Sequence, residues 1–142
     1  MRGSRRGEVL PVTNAGTVPD MPDRIRRPEP ECLDRLRALC LALPGVTERL
    51  SHGEPSWFVK KQFVTLADHH HDDRFGFWAA ATDGAQERWI ALDAGRFFRP
   101  PYVGGRGWVG VYLDVELDDR DWDDIAEIVA DAHAVAAPPQ RR

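Results

Sequence analysis

The side chains able to do chemistry fall into four groups. His69, His70 and His71, set between Asp68 and Asp72-Asp73, are metal-ligand types. Neighbouring residues of an extended chain point to opposite sides, so this run converges on one ion only through a bent loop, and it reads as a solvated hairpin tip. His52 stands beside Gly53 and near Pro55, where the backbone is held. No second histidine or cysteine is placed to complete a nucleophile and base pair, and it reads as a hydrogen-bonding group in a turn. Asp118, Asp119, Asp121, Asp123 and Asp124 resemble a carboxylate ridge for a hard cation, yet acids at a helix start already suit the positive end of the dipole. The fourth group is basic and aromatic: Lys60 and Lys61, then Arg96, Arg99, Tyr102 and Arg106, with Trp108 just after. Cations for phosphates and rings for bases are what nucleic-acid contact needs, if the two loops lie side by side.

Catalytic motifs are missing. No G-x-S-x-G, G-x-x-x-x-G-K-[ST] or H-E-x-x-H occurs, and Gly104-Gly105-Arg106-Gly107 precedes a strand rather than a helix, so it is no phosphate loop. The expectation is a non-enzymatic protein without a cofactor or a metal site. Cys32 and Cys40 fall on one predicted helix, about 12 Å apart by its rise, too far for a disulfide and without zinc spacing. Cys40 reads as a small core residue.

The elements that must position these groups follow from periodicity. A helix opens at Pro30 and turns Leu33, Leu36, Cys40 and Leu43 to one side until Pro44-Gly45 ends it. A short polar strand near Glu48 to Ser51 leads through a turn, His52 to Pro55, into two apolar runs, Ser56 to Val59 and Gln62 to Ala67, paired as a hairpin at Lys60-Lys61. Neither lysine favours a positive φ, which leaves the turn type open. Phe75 and Phe77 mark another strand. Asp83 and Gln86 suggest a capping box for a helix with Ala85, Trp89 and Leu92 on one face, closed by Gly95. Pro100-Pro101 and three glycines then lead into a strand in which Val109, Val111 and Leu113 alternate with Trp108, Gly110 and Tyr112. Gly110 between two aromatics invites a close approach by a ligand or another chain. The last helix starts near Asp118, packs through Trp122, Ile125, Val129 and Ala132, and ends near Ala137. Short turns between strands require antiparallel pairing, so the class is α+β, a mostly antiparallel sheet with helices on one face.

With 142 residues, 42% hydrophobic and 30% charged, the chain has the composition of one globular domain, without the run of about 18 apolar residues that spans a membrane. The charged N-terminus leads into no apolar signal segment, and a cytoplasmic protein is expected. Residues 1–29, opening on the leader-like MRGS, lack any period and are expected to form a disordered basic tail; residues 30–138 form the domain, and 139–142 a short basic end. Residues 1–30 carry six arginines against four acids, whereas residues 31–137 carry eleven cations against nineteen acids, a net of −8. Any phosphate-binding surface must therefore be a local patch.

LPGVTE after the first helix, HGEPSWFV entering the hairpin, and PPYVGGRGWVGVYLD before an acidic-start helix together resemble the MmcQ/YjbR family of small bacterial proteins, over about Glu31 to Pro138. The resemblance implies a CyaY-like, frataxin-like two-layer α+β sandwich whose hairpins form a double-wing DNA-binding motif. Carried across by motif, the first wing is the hairpin at Lys60-Lys61 and the second the loop from Arg99 to Gly107 leading into Trp108. The expected partner is DNA. Two other readings stand beside it: a small-ligand or protein-binding module using the Trp108, Gly110, Tyr112 face, and metal binding by the acidic ridge.

Overall fold

A computed structural model of the chain describes residues 24–69 and 72–138. Helix α1 (Glu29–Leu41) is followed by β1 (Thr47–Ser51), β2 (Glu54–Val59), β3 (Lys61–Asp68) and β4 (Phe75–Ala79). Then come α2 (Ala85–Leu92), β5 (Phe97–Phe98), a 3-10 turn at Gly104–Arg106, β6 (Val109–Tyr112) and α3 (Asp119–Ala136). The strands form one sheet in the order β1-β2-β3-β4-β6-β5, and every pairing is antiparallel. The α+β class read from the sequence is what the chain adopts. No described helix is long and apolar enough to cross a membrane.

Alternation along the strands divides the sheet into two faces. Trp57, Val64, Ala79 and Val109 pair in one row across it, with Phe77 and Val111 in the next, and all six are buried. Against this face lie α1, through Cys32, Leu36 and Cys40, and α3, through Trp122, Ile125 and Val129. Each large side chain buried here is worth about 1.5–3 kcal/mol, which makes this layer the main source of stability. Burial also pushes both thiols up in pKa and keeps them protonated. The carboxylate facing Trp57 on this side is satisfied: Glu48 accepts from Trp57 Nε1 at 3.0 Å and Arg37 Nε at 2.9 Å.

Several local expectations change. Helix α1 begins at Glu29 on an N-cap Pro28, one residue early, and its buried stripe is Cys32, Leu36, Cys40 at i, i+4, i+8. Residues 24–28, placed in the N-terminal tail from the sequence, contact the domain: Ile25 bridges Leu117, and Arg24 pairs with Asp118 at 3.1 Å. Residues 1–23 and 139–142 lie outside the described residues. His52 and Gly53 both have positive φ, 53° and 83°, the requirement of a two-residue hairpin turn, so β2 starts at Glu54 rather than Ser56. In α2 the Asp83 capping box is absent. Gly84, at φ 83°, is the N-cap, Leu92 is 64% exposed, and the helix closes at Asp93 rather than Gly95. The box does form at α3, where Asp118 accepts from the Asp121 amide at 2.8 Å and Asp121 accepts from the Asp118 amide at 2.9 Å.

Candidate functional site

Register places the two basic loops at the same end of the sheet. The row Val64, Ala79, Val109 runs across three strands, and from it β3 leads back to Lys61 and Lys60 while β6 leads back to Trp108 and Gly107. Lys60 alone forms the hairpin tip, in the left-handed region at φ 65°. That conformation costs a non-glycine residue roughly 1–2 kcal/mol, and here it holds two lysines in solvent at a tight turn.

The second loop is held by a residue assigned a different task from the sequence. Gln86, expected in a cap, is buried on α2, and its amide donates to the carbonyls of Gly104 at 2.9 Å and Trp108 at 2.6 Å. Its Oε1 accepts from Arg99 at 3.4 Å. Arg99 folds along Gly104 so closely that a Cβ there would lie 2.7 Å from its Cγ. Tyr102, also at positive φ, is 82% exposed, and the Arg106 guanidinium stands 5.5 Å from the centre of the Trp108 ring. No carboxylate among the described residues pairs with Lys60, Lys61, Arg99 or Arg106.

Arg96 does not belong with them. It is buried, ion-paired to Asp121 at 3.0 Å and Asp124 at 3.3 Å, and donates to the Asp121 carbonyl at 3.3 Å. Of the acids read as a ridge for cations, Asp118, Asp119, Asp121 and Asp124 thus hold this chain's own arginines, Arg24 and Arg35 included. Trp108 is also buried, at 7% exposure, so its ring serves as a wall and not as a projecting wedge.

The sheet's outer face, away from α1 and α3, is divided. Ser56, Thr65, Trp78, Gly110 and Phe98 pair successively in one row across it. At the β6-β5 side the Phe98 ring lies on Gly110, where a Cβ would come within 2.3 Å of it, and stacks on Tyr112 at 4.3 Å. The Arg74 guanidinium is 3.7 Å from the Tyr112 ring centre. The close approach expected at Gly110 is made by the chain itself, which removes the Gly110 and Tyr112 part of the face considered for a ligand. At the β1-β3 side, in contrast, a cleft of about 540 Å³ stays open. Its lining is Ser51, His52 and Glu54 from the first hairpin, Gln62, Thr65 and Ala67 from β3, Trp78 from β4, and Tyr102, Val103, Arg106 and Trp108 from the second loop. Sequence reasoning singled out only His52, Tyr102, Arg106 and Trp108 of these. A period of two joins Thr65 with Ala67, but Gln62, an odd number of residues before them, shares their face only through the register shift between β2 and β3 at Trp57-Phe58, which local pattern does not signal.

The opposite end of the sheet is acidic. Arg74 forms two hydrogen bonds with Asp114, at 2.7 and 2.8 Å. Burial pushes the Asp114 carboxyl up, but these bonds and the Phe75 amide outweigh it and hold it below the usual carboxylate range. Tyr112 donates to Asp72 at 3.3 Å, and burial with this neighbour raises its pKa. His69 meets Glu29 at 3.0 Å and Asp68 and Asp73 at 3.4 Å; the Glu29 bond raises its pKa. Glu29, Asp68 and His69 bring their ligand atoms within 4.8 Å, a grouping that needed α1 and was invisible in the DHHHDD run. His70 and His71 lie outside the described residues.

A family model described as YjbR matches residues 41–135, about two-thirds of the chain. No curated protein and no solved structure matches significantly.

Proposed function

The chain belongs to the YjbR family, and from that premise we propose that it is a non-enzymatic, cytoplasmic DNA-binding protein that meets duplex phosphates with its two loops. One observation carries this reading: four exposed cations, paired with no carboxylate among the described residues, share one end of the sheet, while Asp68, Asp72, Asp73 and Asp114 stand at the other. A domain with net negative charge approaches a polyanion only if its field is asymmetric, and this separation supplies the asymmetry. Lys60, Lys61, Arg99 and Arg106 contact phosphates. Tyr102, exposed beside them, stacks at the groove edge. Arg96 anchors the start of the second loop to α3 from inside.

Four phosphate contacts imply a slope of log affinity against log salt near −0.9 per contact. Binding of a labelled mixed-sequence duplex by the full chain, at several salt concentrations, tests the proposal. Lys60→Glu with Arg106→Glu should lose most of the affinity and flatten the slope by about 2, with an unchanged melting temperature. A double variant that binds as the parent does, with the same slope, would rule the two loops out.

A further inference from the structure

The acidic end of the sheet holds a side-chain cluster that duplex contact does not use. His69 follows β3 at φ 63° and Asp73 comes after it at φ 57°, so the chain bends twice where an extended run of histidines would point apart. Through the first bend the imidazole meets Asp68 beside it and Glu29, 40 residues earlier, at the start of α1. Its two nitrogens have separate partners. Nε2 stands 3.0 Å from a Glu29 oxygen and 3.4 Å from an Asp68 oxygen, while Nδ1 stands 3.4 Å from Asp73. One ligand atom from each of Glu29, Asp68 and His69 lies within 4.8 Å of the other two. Among the described residues no lysine or arginine pairs with Glu29 or Asp68, and Arg74, a few residues on, is held by Asp114. The side chains of Glu29, Asp68 and His69 are 40%, 44% and 41% exposed, which leaves the cluster open to an ion from solvent.

We infer that Glu29, Asp68 and His69 bind one divalent transition-metal ion of the zinc class, through Nε2 and one oxygen of each carboxylate, with Asp73 holding the imidazole from behind. Ligand bonds of about 2.0–2.2 Å spread at tetrahedral angles set two donor atoms about 3.4 Å apart. The separations of Nε2 from the two carboxylates are already of that size. A carboxylate on Nδ1 fixes the tautomer that turns the lone pair of Nε2 to an ion, and Asp73 is placed to do this. The ion would displace a proton and the contacts that its three ligands make with one another, and it would fasten the start of α1 to the turn after β3. An imidazole among the ligands favours zinc, cobalt or nickel over magnesium and calcium, which take oxygen. The inference does not rest on the DNA reading: Asp68 and Lys61 are opposite ends of β3, about 23 Å apart at roughly 3.3 Å per residue.

The test is calorimetric titration of the chelator-treated full chain with zinc chloride. One ion per chain is expected, and a large excess of magnesium should leave it bound. Asp73→Asn should weaken binding by about tenfold, and Glu29→Gln, Asp68→Asn or His69→Ala by more. Zinc should raise the melting temperature of the parent and not that of Glu29→Gln, because an ion bound by the folded chain alone stabilises it. The melting temperature of each variant without metal shows that it still folds. Lys60→Glu with Arg106→Glu should bind zinc as the parent does, so the metal site and the two-loop reading can fail separately. The inference is overturned if the chain binds no zinc, if magnesium displaces it, or if Glu29→Gln binds it as tightly as the parent. Binding that persists in Glu29→Gln and disappears with His70→Ala and His71→Ala together would assign the ion to the histidine run alone, and overturns the inference equally.

Discussion

Arg96 and Arg106 stand ten residues apart in one segment and look alike in sequence, yet the fold sends them to opposite ends of the sheet. Arg96 follows the acids of α3 inward, where Asp121 and Asp124 neutralise it, and beside it Arg74 is held by Asp114 and Arg24 by Asp118. Arg106 is exposed at the same end of the sheet as Lys60 and Lys61 and pairs with no described carboxylate. The difference shows that formal charge over a domain says little about what it can approach; the number of cations left unpaired, and where, says more. One end contributes electrostatics to stability, and the other leaves its cations in solvent.

The comparison breaks most visibly at Arg96. Arg96→Ala would leave the buried Asp121 with only the half-exposed Arg24 as a cation, and losing one partner of a buried pair costs up to about 3–5 kcal/mol. Urea unfolding should show that loss, whereas Arg106→Ala should change stability by less than about 0.5 kcal/mol. Equal effects would mean that the two arginines play the same part.

At the acidic end the sign of a pH effect is fixed by Asp114. Its folded pKa is depressed, so its contribution is complete above the unfolded value near 3.9 and disappears as pH falls through the lower folded value. Urea midpoints from pH 6 down to pH 2 should drop in that window. Arg74→Ala should lower stability at neutral pH by about 1.5–3 kcal/mol and make the acid-induced decline shallower. His69 acts in the other direction: its raised pKa favours the fold below about pH 6.5, and this benefit disappears as pH rises through the folded value.

The smallest effect sharpens the contrast best. Lys60→Gly relieves a left-handed backbone and should stabilise the domain by about 0.5–1 kcal/mol, read as a higher melting temperature, while weakening duplex binding. Opposite movement of the two readouts would separate Lys60 from a residue that serves folding alone.

The class of the fold and most element positions were legible because they rest on local periodicity: β6 alternates, and α3 carries its cap and its apolar stripe in sequence order. The charge separation was half legible. Lys60, Lys61 and Arg106 could be placed in loops, but nothing local distinguishes Arg96 from them, since its partners Asp121 and Asp124 lie 25 and 28 residues away. Gln86 shows the same limit from the other side. Three residues after Asp83 it fits a cap, and only the folded chain shows it reaching two carbonyls 18 and 22 residues away. The cleft was least legible, because Glu54, Gln62, Thr65 and Trp78 come from three strands and share nothing but a face.

Phe98 and Gly110 amount to a single choice made at two positions. With the ring resting where any Cβ would stand, within 2.3 to 2.6 Å of three of its carbons, Gly110 cannot gain a side chain while the ring stays, and a smaller residue at 98 alone would uncover the glycine backbone. Relatives should therefore carry them as a matched pair, a large ring with glycine or a small residue with a larger one. In a relative that made the second choice, the wall between the covered and open halves of the outer face would be gone, and the pocket could run the full width of the sheet.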